Sequence, residues 1–261
     1  MSRNGPVALA YHALFVTFML APIVVVCWVA FTPEGFLSFP THDWSLRWFK
    51  AIARYPEFVA GFWRSLWLGA LSSATAALAI ARYRFRGREA MTALFMSPLM
   101  IPHIVLGIAF LRFFTQIGLG GSFTGLVLAH IVIVLPFALR LTLASAVGLD
   151  RALEHAAVSL GASEATVLRR ITLPLVMPGL VSGWALAFIN SFDEVTMTVF
   201  IAAPGTETLP VRMFLYIQDN IDPLVTSVSA AVIAVTVAAL VTLDRAYGLE
   251  RLLVGRSVDG Y

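Results

Sequence analysis

Two carboxylates stand side by side in an apolar part of this sequence, in the stretch AFINSFDEVTMTVF. They are Asp193 and Glu194, and Asn190 precedes them by three and four residues. Acidic groups within a membrane span are costly, and they face either a partner charge or a water-filled path. Two chemistries fit this pair: a structural ion pair with an arginine of this or another subunit, or reception of a cationic solute. Successive helical residues point about 100° apart, so the two acids are expected to hold different contacts. Asn190 can neighbour either acid and add a hydrogen bond. A second polar set lies in LEHAAVSLGASEATVLRRITLPLVMPG, residues 153–179, which carries Arg169 and Arg170 between two long apolar segments.

Other chemistries find no footing. Lys50 is the only lysine, so the GxxxxGK[ST] loop that cradles nucleotide phosphates is absent. No HExxH, CxxC or GxSxG pattern occurs, and His12, His42, His103, His130 and His155 lack metal-ligand spacing. The lone Cys27 permits no intrachain disulfide. The glycines of GLGGSFTG read as a short turn between spans. No catalytic site, metal site or resident cofactor is expected, and nothing suggests nucleic acid as a partner.

The elements that must position these residues follow from composition. Of 261 residues 59% are hydrophobic and 13% charged, too little charge for the surface of a soluble domain. The chain reads as an all-α integral membrane protein forming one domain over residues 1–261, with the lipid bilayer as its surroundings. A crossing needs roughly 20 apolar residues. Six stretches qualify, at about 7–31, 62–81, 90–114, 122–147, 175–203 and 223–243, and the first is a retained helix rather than a cleaved leader. Asp193 and Glu194 then fall near the middle of the fifth span. Arginines gather after the even-numbered spans: Arg82, Arg84, Arg86 and Arg88; Arg140, Arg151, Arg169 and Arg170; Arg245, Arg251 and Arg256. The positive-inside rule makes that side cytoplasmic, together with both termini. Arg64 and Arg112 lie near span ends and are expected to reach the external interface by snorkelling. WSLRWFKAI, in the long external loop 32–61, has the pattern of an interfacial helix. Pro98, Pro102 and Pro136 bend or open spans three and four. His103 and His130 read as packed residues without a role.

The polar module itself reads as two helices. Asp150 caps the first, with Leu149, Leu153, Ala156 or Ala157 and Leu160 on one face. Gly161 ends it in a left-handed turn. Ser163 caps the second, with Glu164 in its first turn and Arg169 and Arg170 in its last; Pro174 then opens the next span. Ala156 and Ala157 leave a shallow face that another protein can approach.

HAAVSLG followed by nine residues and ITLP resembles the EAA loop of binding-protein-dependent ABC importer permeases. Ala156, Ala157, Gly161, Ile171, Leu173 and Pro174 fall on that pattern, His155 stands at its usual glutamate and Glu154 lies one residue earlier. LVLAHIVIVLPFALR and INSFDEVTMTVFIAAPGTETLPVRMF are similar to spermidine/putrescine-type permease subunits. The resemblance implies six transmembrane helices with a cytoplasmic coupling loop over about 148–174, in a bacterial inner membrane. It implies a second permease subunit, two cytoplasmic ATPase subunits that bind the ATP, and a periplasmic or extracellular solute-binding protein. The implied cargo is a polyamine; another small organic solute or iron is the alternative. An ion-coupled secondary transporter is the reading from a different class, and an ATPase-docking loop is what such a carrier would lack.

The topology can be tested with an impermeant thiol reagent on intact cells. Cysteines introduced near Glu57 and Glu207 are expected to react and one at Ser163 is not, so external labelling at Ser163 would refute it.

Overall fold

The computed structural model describes residues 5–81, 88–147 and 151–247. The arginines at 82–86, Arg251, Arg256 and the expected cap Asp150 lie outside the described residues. Within them every element is helical: α1 Pro6–Val29, α2 Arg47–Ile52, α3 Pro56–Ala81, α4 Arg88–Met96, α5 His103–Gln116, α6 Phe123–Val147, α7 Arg151–Ser159, α8 Glu164–Val167, α9 Leu173–Phe192, α10 Thr198–Ile201, α11 Leu209–Asp219 and α12 Leu224–Tyr247. Among the described residues four helical runs are long and apolar enough to cross a membrane: Pro6–Val29, Phe123–Ser145, Glu164–Phe192 and Leu224–Thr242. A fifth crossing is the bent pair Ala93–Met100 and His103–Gln116. Helix α3, with 26 residues, has the length for another.

Two expected spans are remodelled. The third is not one helix. α4 ends at Met96, a 3-10 turn covers Ser97–Met100, and α5 starts at His103 after a bend of 109°. Pro98 and Pro102 are the cause, since each lacks an N–H and disfavours a helical residue before it. The fifth begins earlier and stops earlier than the sequence suggests. It runs from Glu164 to Phe192, through a π turn at Leu168–Thr172, and then breaks before the short α10. Pro174 cannot donate to a carbonyl one turn back, and the wider π turn just before it carries the helix across that gap. Pro136, by contrast, sits inside an unbroken α6.

The chain forms two compact units, one built of residues up to Val59 with Met213–Thr242, the other around Ala60–Arg212. The core of the second is the α6–α9 pair. On α9 the buried residues Val176, Gly179, Gly183, Ala187 and Ser191 follow helical spacing, and most are small. Small residues on one stripe let two backbones approach closely, which drives helix association where lipid removes the hydrophobic force. A Cβ on Gly183 would meet the Ala138 carbonyl oxygen at 3.0 Å and its Cα at 3.2 Å. Leu126, Ala129, Ile133, Val134 and Ala138 of α6 continue this core with Leu68, Phe114, Met197 and Ile201.

In the other unit, α1 ends against α12, where the Ser227 hydroxyl donates to the Ala30 carbonyl at 3.0 Å. Aromatic rings from Trp28, Phe31, Trp44 and Phe49 gather around the end of α1.

Gly183→Val should therefore destabilise the folded protein by about 1–3 kcal/mol, because backbone atoms are what its side chain would strike. Thermal unfolding in detergent checks this; an unchanged midpoint would contradict the close packing.

Candidate functional site

The polar module is a helical hairpin. α7 closes with a Schellman arrangement: Gly161, at φ +87°, donates its N–H to the Val158 carbonyl at 2.9 Å, and Ala162 donates to Ala157 at 3.0 Å. Glycine is required there because a Cβ is strained at that φ. The Ser163 hydroxyl caps the second helix, accepting from the Thr166 N–H at 3.3 Å. That second helix does not close before α9. Arg169 and Arg170 lie in the π turn, and the chain passes directly into α9.

A hydrogen bond ties the two arms together. Thr172 Oγ1 donates to Glu154 Oε1 at 2.5 Å. The acid that precedes the usual glutamate position thus braces the hairpin from within, while His155 beside it is exposed. Ala156 and Gly161 are exposed and Ala157, Ile171 and Leu173 half-buried. The expected apolar face is uncovered: Leu153 is 50% and Leu160 89% exposed.

The acidic pair is placed differently from expectation. Asp193 and Glu194 lie at the end of α9 and in the break that follows, not in mid-helix. Asp193 is the C-cap of α9 and is exposed, its N–H still bonded to the Ile189 carbonyl at 3.1 Å. Glu194 is buried and fully engaged. Its Oε1 accepts the Met197 N–H at 2.6 Å, and its Oε2 meets His103 Nδ1 at 2.7 Å. Asp193, a short acidic residue, competes with the helix for backbone hydrogen bonds, and the β-branched Val195, Thr196 and Thr198 beyond it do little to extend one. Asn190 joins neither acid through its donor, since its Nδ2 donates back to Leu186 at 2.8 Å.

The two helix breaks thus meet. His103, the first residue of α5, reaches Glu194 from the far side of the Pro98–Pro102 bend. One turn along α5, Gly107 lets the chain at Met197 approach so closely that a Cβ there would lie 3.0 Å from the Met197 carbonyl oxygen. Backbone freed at breaks in apolar surroundings must find internal partners, and Glu194 supplies one.

Beneath the break runs a buried polar chain that sequence reasoning missed. Ser191 Oγ lies 2.8 Å from His130 Nδ1 and 3.2 Å from Ser72 Oγ, and His130 Nε2 lies 3.0 Å from Thr198 Oγ1. It links α3, α6, α9 and α10 through a fully buried imidazole. An ionisable residue inside a span was the available signal, but its partners are 61 and 68 residues away in sequence. Arg64 reaches the turn before α11. Its Nε donates to the Glu207 carbonyl at 2.7 Å and its Nη1 to Gly205 at 2.9 Å, because that turn leaves carbonyls without helical donors. Among the described residues no group of three or more His, Cys, Asp or Glu could hold a metal.

The sequence from residue 69 to residue 249 matches the family described as the binding-protein-dependent transport system inner membrane component. The spermidine/putrescine transport system permease protein PotC of Haemophilus influenzae is 30% identical over 247 residues, covering 92% of this chain and 93% of that protein. The putrescine transport system permease protein PotI of Escherichia coli K12 is 28% identical over 232 residues, covering 83% and 82%. Among solved structures, a bacterial ABC transporter involved in the import of the acidic polysaccharide alginate superposes with a TM-score of 0.63. It is 16% identical and covers 92% of this chain and 95% of its own, a likeness of fold.

Glu194→Ala should cost about 1–3 kcal/mol, because it orphans the buried Met197 N–H. Glu194→Gln, which keeps an acceptor for that N–H, should cost less. Unfolding of the detergent-solubilised protein orders the two, and equal losses would mean that the charge, not the cap, holds the break.

Proposed function

The chain belongs to the family of binding-protein-dependent transport inner membrane components, and from that premise we propose that it is one of two permease subunits in an ATP-driven polyamine importer. The family makes it a multi-pass inner-membrane protein. In this reading six helices cross, both termini and the hairpin of α7 and α8 face the cytoplasm, and a solute-binding protein delivers cargo from the other side. The chain has no ATPase site of its own and borrows motion from two cytoplasmic ATPase subunits.

A single observation carries the coupling role. The second arm of the hairpin is the same helix that crosses the membrane, Glu164–Phe192. Leu153, Leu160, Ala156 and His155 stand exposed on the other arm, and Glu154 locks the two arms through Thr172. A partner that grips the exposed arm therefore holds the end of a lever. Its far end carries Asn190, Asp193 and Glu194.

The polyamine assignment rests on the two relatives named for spermidine and putrescine transport and on the acids at the end of α9. An ammonium group leaving water needs compensating charge. The exposed Asp193 is free to offer it. Glu194 serves the path by fixing the break that presents Asp193, and Asn190 lines the same last turn.

Reconstituted vesicles holding the whole transporter test both halves. Gly161→Leu forces a side chain into left-handed geometry, so spermidine-stimulated ATP hydrolysis should fall about tenfold or more while insertion persists. Asp193→Asn should lower spermidine uptake about tenfold with assembly intact. Full stimulated hydrolysis in the first variant would remove the coupling role, and unaltered uptake in the second would redirect the substrate assignment to a neutral or anionic solute.

A further inference from the structure

Where α1 ends, the chain folds back and stitches α2 to it. Ser45 donates its N–H to the Phe31 carbonyl at 2.7 Å, Arg47 Nη1 to Pro33 at 3.0 Å, and Trp48 Nε1 to Glu34 at 2.9 Å. The Ser227–Ala30 bond sets the first turns of α12 at the same level. Rings crowd that level: Trp28 lies against Trp44 and Phe39 at centroid distances of 5.0 and 6.2 Å, and Trp44 and Phe39 are 60% and 59% exposed. Exposed tryptophan and phenylalanine rings at the ends of two apolar crossing helices mark the boundary between lipid and water.

At this boundary opens a cavity of about 840 Å³, lined among others by Arg47, Lys50, Arg54, Tyr55 and Asp222. The three cations recur at i, i+3 and i+7, so they share one face of α2 and its extension. Arg47 is committed to Pro33 and to the face of Trp48, 5.0 Å away. Lys50 and Arg54 are exposed, and among the described residues neither forms an ion pair with a carboxylate. Asp222 offsets one of these three charges from the same cavity wall, where two neutral donors hold it. Tyr216 Oη donates to Oδ2 at 2.8 Å and the Leu224 N–H to Oδ1 at 2.9 Å. The cavity therefore presents excess positive charge to its opening, which repels a polyamine and attracts an anion.

We propose that this cavity binds the phosphodiester headgroup of an anionic phospholipid, in the outer leaflet under the topology given above. Lys50 and Arg54 take the phosphate, while the exposed Leu46, Trp44 and Phe39 lie along the acyl chains. The lipid is favoured over a soluble anion because the charge sits at the aromatic boundary, with apolar surface continuous beside it. The inference needs α1 and α12 to cross the membrane, but not the polyamine assignment.

The test uses the whole transporter in vesicles of mixed phosphatidylglycerol and phosphatidylcholine, with retained lipid counted by native mass spectrometry. The wild type should retain phosphatidylglycerol preferentially, and Lys50→Gln with Arg54→Gln should lower that preference about 30-fold, the worth of two cations beside an anionic lipid. Lys50→Arg alone should preserve it. Because both residues are exposed and unpaired, the double variant should keep the wild-type unfolding midpoint. No preference in the wild type, or an unchanged preference in the double variant, would overturn the assignment. Displacement of the lipid by millimolar inorganic phosphate, or by the solute-binding protein, would also overturn it, giving the site to a free anion or to protein docking.

Discussion

Close approach of α9 to α6 is the constraint on which the second unit depends. In hydrocarbon, apolar side chains gain nothing by leaving lipid for one another, so contact must come from packing and hydrogen bonds. Gly179, Gly183, Ala187 and Ser191 provide both, drawing the helices together and ending on a hydroxyl aimed at His130. Once α9 is pinned along this stripe, its two ends are determined. One end is the π turn and hairpin; the other is the break at Asp193.

The break looks like a defect and behaves as a joint. Two interrupted segments, one broken by Pro98 and Pro102 and one by Asp193 and Glu194, supply each other with partners. Glu194 caps the Met197 N–H and holds His103, and Gly107 brings α5 against the backbone at Met197. Irregular backbone survives within a membrane protein only where the protein itself satisfies it. The exposed Asp193 beside this joint is then a charge held on a fixed base.

Much of the hairpin was legible in the sequence. Gly161 and Ser163 announced the turn because their chemistry is local: a left-handed residue and a capping hydroxyl act within a few residues of themselves. The apolar runs announced α1, α6 and α12 for the same reason. What escaped was non-local. A periodic apolar pattern continues through a break, so span five read as running to residue 203 although its ladder stops at Phe192. The roles of His103 and His130 depend on partners 61 to 91 residues away, and no spacing rule connects those. Nor did the sequence show that the hairpin's second arm and the span are one helix, because Pro174 suggests a start where a π turn in fact carries the chain through.

Hairpin and span should move as one rigid lever. Spin labels at Val158 and Ile189, both exposed, place one probe on α7 and the other near the end of α9. Pulsed dipolar spectroscopy on the whole transporter, nucleotide-free and ATP-bound, measures whether their separation changes. A rigid lever gives the same narrow distance distribution in both states, whatever the rest of the transporter does. A shifted or newly broadened distribution on ATP binding would show that the π turn bends, and that the hairpin is a hinge rather than a lever.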